Sequence, residues 1–214
     1  RDMFTHRSPG DLSPKDVYKL IIGCVVPRPI AWISSVDADG RLNLAPFSYF
    51  NGVSSRPAVL SVSFSYNPDS DDHQKDTLRN IRATEEFVVN VVIEPQERAM
   101  HASSAPYPAE QDEMSALGLT PVPSRTVKPP SLEESPIRLE CRLYDSRQIG
   151  EGPGSATLVL GEIMNIAVRD DLINERLHID HQALRVVGRL AGNRYSYVHE
   201  IFDLGRRPEP GESP

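Results

Sequence analysis

"IAWISSVDADGRLNLAPFSYFN", Ile30 to Asn51, decides the fold of this chain. Its first seven residues, Ile30 to Val36, are a β-rich run. Asp37 to Gly40, "DADG", supplies a hairpin turn, and "RLNLAPF" returns as the partner strand. The return is odd in one respect. Pro46 stands inside it, where a central ladder would lose a hydrogen bond. The aromatics Phe47 and Tyr49 sit on either side of a small polar residue, Ser48. Local propensity gives no reason for that arrangement.

Outward from this hairpin the chain continues in short strands. "AVLSVSF", Ala58 to Phe64, alternates, with Val59, Ser61 and Ser63 on one side and Leu60, Val62 and Phe64 on the other. "EFVVNVVI" reads as a buried strand, followed by "IRLECRLYDSRQI", "ATLVLGEIMNIAV" and "RVVGRLAG". Helices are few and short. "SPKDVYKLI" starts one, with Ser13 as its cap and Pro14 at the first helical position. A second follows Lys75, capped by Asp76 or Thr77 and carrying Leu78 and Ile81 inward. "PQERAMHASSAPYPAEQDEMSALG" reads as one or two helical turns joined by proline-containing loops. Short strands separated by turn signals favour a β-barrel or sandwich over a doubly wound sheet. The expected organisation is an N-terminal arm over residues 1–16, a single domain over 17–205, and a flexible tail over 206–214.

The chain has 214 residues, enough for one sizeable core. A net charge of −7 gives a mean field that repels nucleic acid and anionic membranes, so neither is an expected partner. Any anion must therefore be held by a pocket working against that field. Cys24 and Cys141 both lie in apolar runs, where buried reduced thiols are expected, and a cytoplasmic location follows. No stretch reads as a signal sequence or is apolar enough to span a bilayer.

Four places could carry chemistry. "KDT", Lys75 to Thr77, opens a helix where bare backbone N–H groups, the dipole's positive end, an ammonium and a hydroxyl coincide. Those groups together suit a phosphate, and the competing reading is an ordinary N-cap beside a solvated lysine. "WISS", Trp32 to Ser35, presents two serines on opposite faces of a strand, so only one can serve a given pocket. The alternative is a strand face wetted by hydroxyls. "GEGPGS", Gly150 to Ser155, precedes a strand rather than following one, so it reads as a hairpin loop and not as a nucleotide loop. "HIDH", His178 to His181, has no companion motif and reads as a loop or helix start, with no metal site expected. Spacing yields no nucleophilic triad and no paired carboxylates, and no catalytic side chain is named.

Taken together and in order, "PRPIAWISSVDADGRLNLAPFSYFN", "KDTLRNI", "EFVVNVV" and "RLAGNRY" resemble the flavin reductase-like family of FMN-binding proteins. The likeness runs from about Tyr18 to Phe202 and is greatest to the flavoredoxin-like branch. The resemblance implies a mainly β fold with short helices, an FMN-binding split β-barrel of Greek-key order, and a homodimer. It implies FMN as cofactor. The ribityl phosphate would be held by the "WISS" residues Trp32, Ser34 and Ser35 and by Lys75, Asp76 and Thr77. The ring would lie along Ala45, Pro46, Phe47, Ser48, Tyr49 and Asn51, with Ser63 completing the set. Pro46 would break the ladder and free backbone groups for the ring's polar edge.

Arg28 either neutralises phosphate or ties the "PRP" turn to the barrel. Tyr195 matches the family's "RLGG..Y" ending, with Ala191 in place of the first glycine. The Gly-Asp-His motif of the short flavin reductases is not found, since the matching region reads "GSATLVLGE". The implied activity is NAD(P)H-linked flavin reduction, with electrons passed to oxygen, a partner or a second substrate. The alternative is an FMN-binding electron-transfer module without an NAD(P)H site.

Overall fold

The computed structural model describes residues 3–108, 111–207 and 210–211. Residues 1 and 2 of the expected arm lie outside that set, as do 208, 209 and 212–214 of the expected tail.

All six residues of β1 (Ala31–Val36) are buried, which requires cover on both faces. The opening hairpin forms as read. β1 pairs antiparallel with β2 (Leu42–Phe47), from Val36 opposite Leu42 to Ala31 opposite Phe47. The turn is fixed by the Asp37 carboxylate, which accepts from the backbone N–H groups of Asp39 and Arg41. Gly40 supplies the left-handed backbone at φ 84°.

β3 (Phe50–Ser55) and β4 (Ala58–Ser65) form a second hairpin, β5 (Glu86–Val91) returns beside β1, and β8 (Ile137–Ile149) and β9 (Ala156–Val168) form a long third hairpin. Two minor pairs, β6 (Pro121–Val122) with β7 (Ser131–Leu132) and β10 (Val187–Arg189) with β11 (Tyr195–Tyr197), lie outside the main sheet. The sheet order is β2-β1-β5-β8-β9-β4-β3, an antiparallel arrangement of Greek-key type. β2 and β3 are neighbours in sequence yet sit at opposite edges. The sheet curls until those edges approach, because the Phe47 ring of β2 meets the Phe64 ring of β4 edge-on at 4.6 Å. Only Ser48 and Tyr49 span the seam.

The described residues also form five short α-helices: α1 (Pro14–Cys24), α2 (Asp76–Thr84), α3 (Glu97–Ala102), α4 (Glu113–Ala116) and α5 (His181–Leu184). Ser13 caps α1 through its side chain, with Pro14 at the first position, as its sequence predicts. α2 sends Leu78 and Ile81 into the barrel, among Ile33, Leu60, Val62, Phe64, Phe87 and Val89. On the other face of β1, Trp32 and Leu44 pack with Met100 of α3, Met114 of α4, Leu132 and Val187. That second cluster is why β1 is buried on both sides. Gly161 of β9 makes room for the barrel: a Cβ there would lie 2.4 Å from Cζ of Phe87.

Three expectations are corrected, and one strand was unread. Pro46 does not break its strand: β2 runs through it to Phe47 with Pro46 opposite Trp32. β2 is an edge strand, and an edge has no second neighbour for the missing N–H to serve. The break falls instead at Ser48 and Tyr49. The cap of α2 is Lys75 rather than Asp76 or Thr77, and its side chain makes no capping bond. Cys24 is an exposed free thiol, because α1 buries only Ile22 and ends at Cys24; Cys141 is buried and free, its thiol pushed up by burial. β3 has no counterpart in the sequence reading. Its edge position and exposed face leave no apolar alternation to find.

One outward backbone group of β2 is covered by a side chain from α4. The Leu44 N–H donates to Oε2 of Glu113 at 3.0 Å, a buried contact that blunts the sheet edge. Burial, with the nearby Asp112 and Asp76 charges, raises the Glu113 carboxyl above its ordinary value, and the Leu44 bond opposes this only in part.

Candidate functional site

The seam between β2 and β3 opens into a cleft of about 520 Å³, a size at which small-molecule sites are found. One wall is the stretch Pro46–Tyr49. Ser63 and Ser65 of β4 stand beside it, on the face opposite the barrel core, and Lys75 closes that end. The far wall comes from Tyr18 and Ile22 of α1, Met100 and His101 of α3, and Arg189, Asn193 and Tyr195 around the β10–β11 turn.

The cleft's charge is opposite to that of the chain. Arg28, Lys75 and Arg189 all line it, and among the described residues no aspartate or glutamate does. In a protein of net charge −7 this is a local reversal of the field.

The three cations are held differently. Arg28 is only 6% exposed. Its Nη1 donates to the carbonyls of Ile22 and Val25 at 2.9 Å, its Nη2 to the carbonyl of Leu190, and its Nε to Oγ of Ser48. It therefore ties the end of α1 to the seam, where a cation also complements the helix's negative end. Lys75 is exposed and makes no ion pair among the described residues. Arg189 is half-buried, with its guanidinium carbon 4.4 Å from the centre of the Tyr195 ring. Its Nη1 is shut off from solvent with no acceptor.

The Tyr195 hydroxyl in turn is hydrogen-bonded to Nδ1 of His101 at 3.1 Å. The Tyr49 hydroxyl is likewise buried without a partner, and burial pushes that phenol up, with Tyr18 adding to the effect and Arg28 opposing it.

Of the residues the sequence singles out, the cleft gathers Arg28, Pro46, Phe47, Ser48, Tyr49, Ser63 and Lys75. The others lie elsewhere. Trp32, Ser34 and Ser35 are fully buried. The Trp32 indole N–H donates to Oγ of Ser103, Ser34 donates to the Pro130 carbonyl, and Ser35 accepts from Nδ2 of Asn80. Thr77 is buried against Asn43, whose Nδ2 donates to its hydroxyl at 2.8 Å. Asp76 pairs with Arg79. Ala45 faces Ile33 within the hairpin, and Asn51 is exposed on β3 opposite Ser61. "GEGPGS" forms the loop between β8 and β9, and in "HIDH" Asp180 caps α5 by accepting from the Ala183 N–H. The described residues contain no cluster of metal-ligating side chains.

Sequence reasoning missed Arg189, His101, Met100 and Tyr18. Arg189 stands in the same "RLAGNRY" stretch that drew attention to Tyr195, so its signal was present. His101 comes from a short helix between proline loops, and only tertiary packing brings it to the cleft.

Comparisons with known proteins identify the family and the fold. A family model described as a flavin reductase like domain matches residues 22–187. An uncharacterized protein of Halalkalibacterium halodurans is 43% identical over 201 residues, covering 93% of this chain and 95% of its own length. Among solved structures, nitrilotriacetate monooxygenase component B from Bacillus cereus superposes with a TM-score of 0.88 at 32% identity, covering 95% of this chain and 100% of its own. The 2-nitrobenzoate 2-nitroreductase of Pseudomonas fluorescens follows at 0.84 and 31%, covering 98% of each chain.

Proposed function

We propose a function from one premise: this chain belongs to the flavin reductase-like domain family. It is a flavin-linked oxidoreductase, and the cleft at the seam is its FMN site. The observation that carries this reading is the charge of that cleft, which among the described residues has three cationic side chains and no carboxylate, inside an acidic protein.

The residues present fit the cofactor. Lys75 stands at the uncapped start of α2, where bare N–H groups and the helix dipole favour a phosphate. Ser63 and Ser65 add hydroxyls at the same end. Pro46 to Tyr49 and Ile22 supply a largely apolar slot with a few directed polar groups, as a flat ring requires. When bound, FMN supplies the redox chemistry that no side chain of the cleft can perform.

The protein's own part is to bind, orient and exclude water. Lys75 grips the phosphate by charge. Between the strands, Ser48 and the Tyr49 N–H offer backbone groups that no sheet neighbour consumes, whereas the Tyr49 carbonyl accepts from the Ser63 N–H of β4 at 2.9 Å. Phe47, braced by Phe64, keeps that wall dry. Arg28 holds α1 against the seam and so fixes the position of Tyr18 and Ile22. The donor in this reading is NADH or NADPH, entering the same cleft. A second copy of the chain covers the exposed apolar side chains Ile21, Val25, Val53 and Ile166, giving a homodimer.

The test is an absorbance spectrum of the protein after FMN addition and desalting, followed by NADH and NADPH under anaerobic conditions. Retention of a band near ~450 nm, the oxidised-flavin chromophore, and its bleaching by one donor are expected. Failure to retain FMN overturns the reading. Retention without bleaching by either donor replaces it with an electron-transfer module.

A further inference from the structure

We propose that Arg189, Tyr195 and His101 form a carboxylate subsite at the α3 side of the cleft, so that the second reactant is a small organic acid with a flat apolar body. The inference rests on the flavin-site reading above and adds a substrate class to it.

Three observations point to an anion at this corner. First, the Arg189 guanidinium has no acceptor. No described residue accepts a hydrogen bond from it or forms an ion pair with it, and its Nη1 is closed off from solvent. The residue is only half-buried, and where it lines the cleft its remaining guanidinium N–H groups are unpaired, so a carboxylate in the cleft would meet those rather than the enclosed Nη1. Arg28 stands in contrast across the isolated bridge to Arg189, because four of its five guanidinium N–H groups already have acceptors.

Second, the guanidinium is already oriented. It lies over the Tyr195 ring, and that ring is fixed by the bond from its hydroxyl to His101. A planar fork held against an aromatic ring, its carbon 4.4 Å from the ring centre, is set to receive a planar carboxylate two-pronged. Third, the neighbouring wall is apolar. Met100 and Ile30 line the cleft here, and their packing with Tyr195 continues the core beneath. A ligand body seated against them is therefore hydrophobic.

The phosphate end has its own distinct chemistry. Lys75 and the start of α2 belong to the β4 side of the cleft, whereas Arg189 and Tyr195 come from β10 and β11. Each end can therefore take a separate anionic group.

The experiment is calorimetric titration of the FMN-saturated protein with benzoate and with benzyl alcohol, in wild type and in Arg189→Met. Wild type is expected to bind benzoate at least about tenfold more tightly than the neutral analogue, the scale of one charge-assisted bond. Arg189→Met is expected to abolish that preference while leaving benzyl alcohol binding in place.

Equal affinity for the two probes in wild type overturns the subsite, and this comparison needs no variant to fold. A preference that survives in Arg189→Met also overturns it. So does a variant that weakens NADPH relative to NADH and leaves benzoate unchanged, which would assign the arginine to a phosphate. A wild-type protein that takes up no FMN overturns the parent reading instead, and is recognised before any acid is added.

Discussion

Arg28 and Arg189 face each other across an antiparallel bridge, each donating its backbone N–H to the other's carbonyl at 2.9 and 2.8 Å. Two like charges placed directly opposite are unfavourable unless each is compensated. Arg28 is compensated by carbonyl oxygens at the end of α1 and beside β10. Arg189 is compensated only by the face of an aromatic ring. The bridge thus separates a structural arginine from one whose hydrogen-bonding capacity is unspent.

Replacing Arg28 should reveal the structural role. Arg28→Met leaves the Ile22, Val25 and Leu190 carbonyls without their donor in a buried setting. A loss of about 2–4 kcal/mol is expected from the unpaired groups, measured as a lower urea midpoint with an unchanged slope.

Lys75 should act on ligand rather than on stability. Its side chain makes no capping bond, so Lys75→Ala should leave the unfolding midpoint near wild type. FMN binding should weaken by about 1.5–3 kcal/mol, roughly 10- to 150-fold in Kd, read by quenching of flavin fluorescence. An unchanged Kd would remove the start of α2 from the site.

Gly161 and Phe87 should be coupled. A methyl at 161 collides with the Phe87 ring, so Gly161→Ala is expected to cost about 1–3 kcal/mol by overpacking. Combined with Phe87→Leu it should cost less than the sum of the two, by roughly 1 kcal/mol or more for residues in contact. Strict additivity would show that the barrel relaxes around the added carbon.

Glu113 gives the pH dependence a sign. Its carboxyl titrates above the ordinary 4.5 in the folded chain. The folded state therefore binds more protons than the unfolded one, and this group's contribution to stability falls as pH rises through its raised value. Glu113→Gln keeps an acceptor for the Leu44 N–H and removes the charge. The variant should be the more stable protein at pH 7, with the difference closing toward pH 4. Parallel pH profiles of thermal midpoint would contradict this.

Much of the architecture was legible because the long strands are covered on alternate or both faces. β9 spans its apolar run from Ala156 to Val168, β8 is covered over its first half and runs exposed from Tyr144 to Ile149, and the Ser13–Pro14 start of α1 follows from capping chemistry alone. β3 was illegible because an exposed edge strand carrying Gly52 and two serines has no pattern to betray it. Pro46 misled for a related reason. The residue forbids a central ladder, and the sequence does not say which strand will be the outermost. The site was half legible. Local motifs pointed to Lys75 and to Pro46–Tyr49, which line the candidate cleft. They could not reveal that the adjacent serines of "WISS" would be covered by Pro130 and Asn80, from loops and helices remote in sequence.

The Ser48–Tyr49 link has a mechanical consequence. Because the barrel's circumference is completed there by two residues and no ladder, it is the one place where the wall can part without a strand pair being broken. A molecule lodged against it works as a clasp, drawing the ends together. Amide exchange along Phe50–Ser55 should slow on occupancy more than anywhere in the β8–β9 hairpin, whose bonds are already complete.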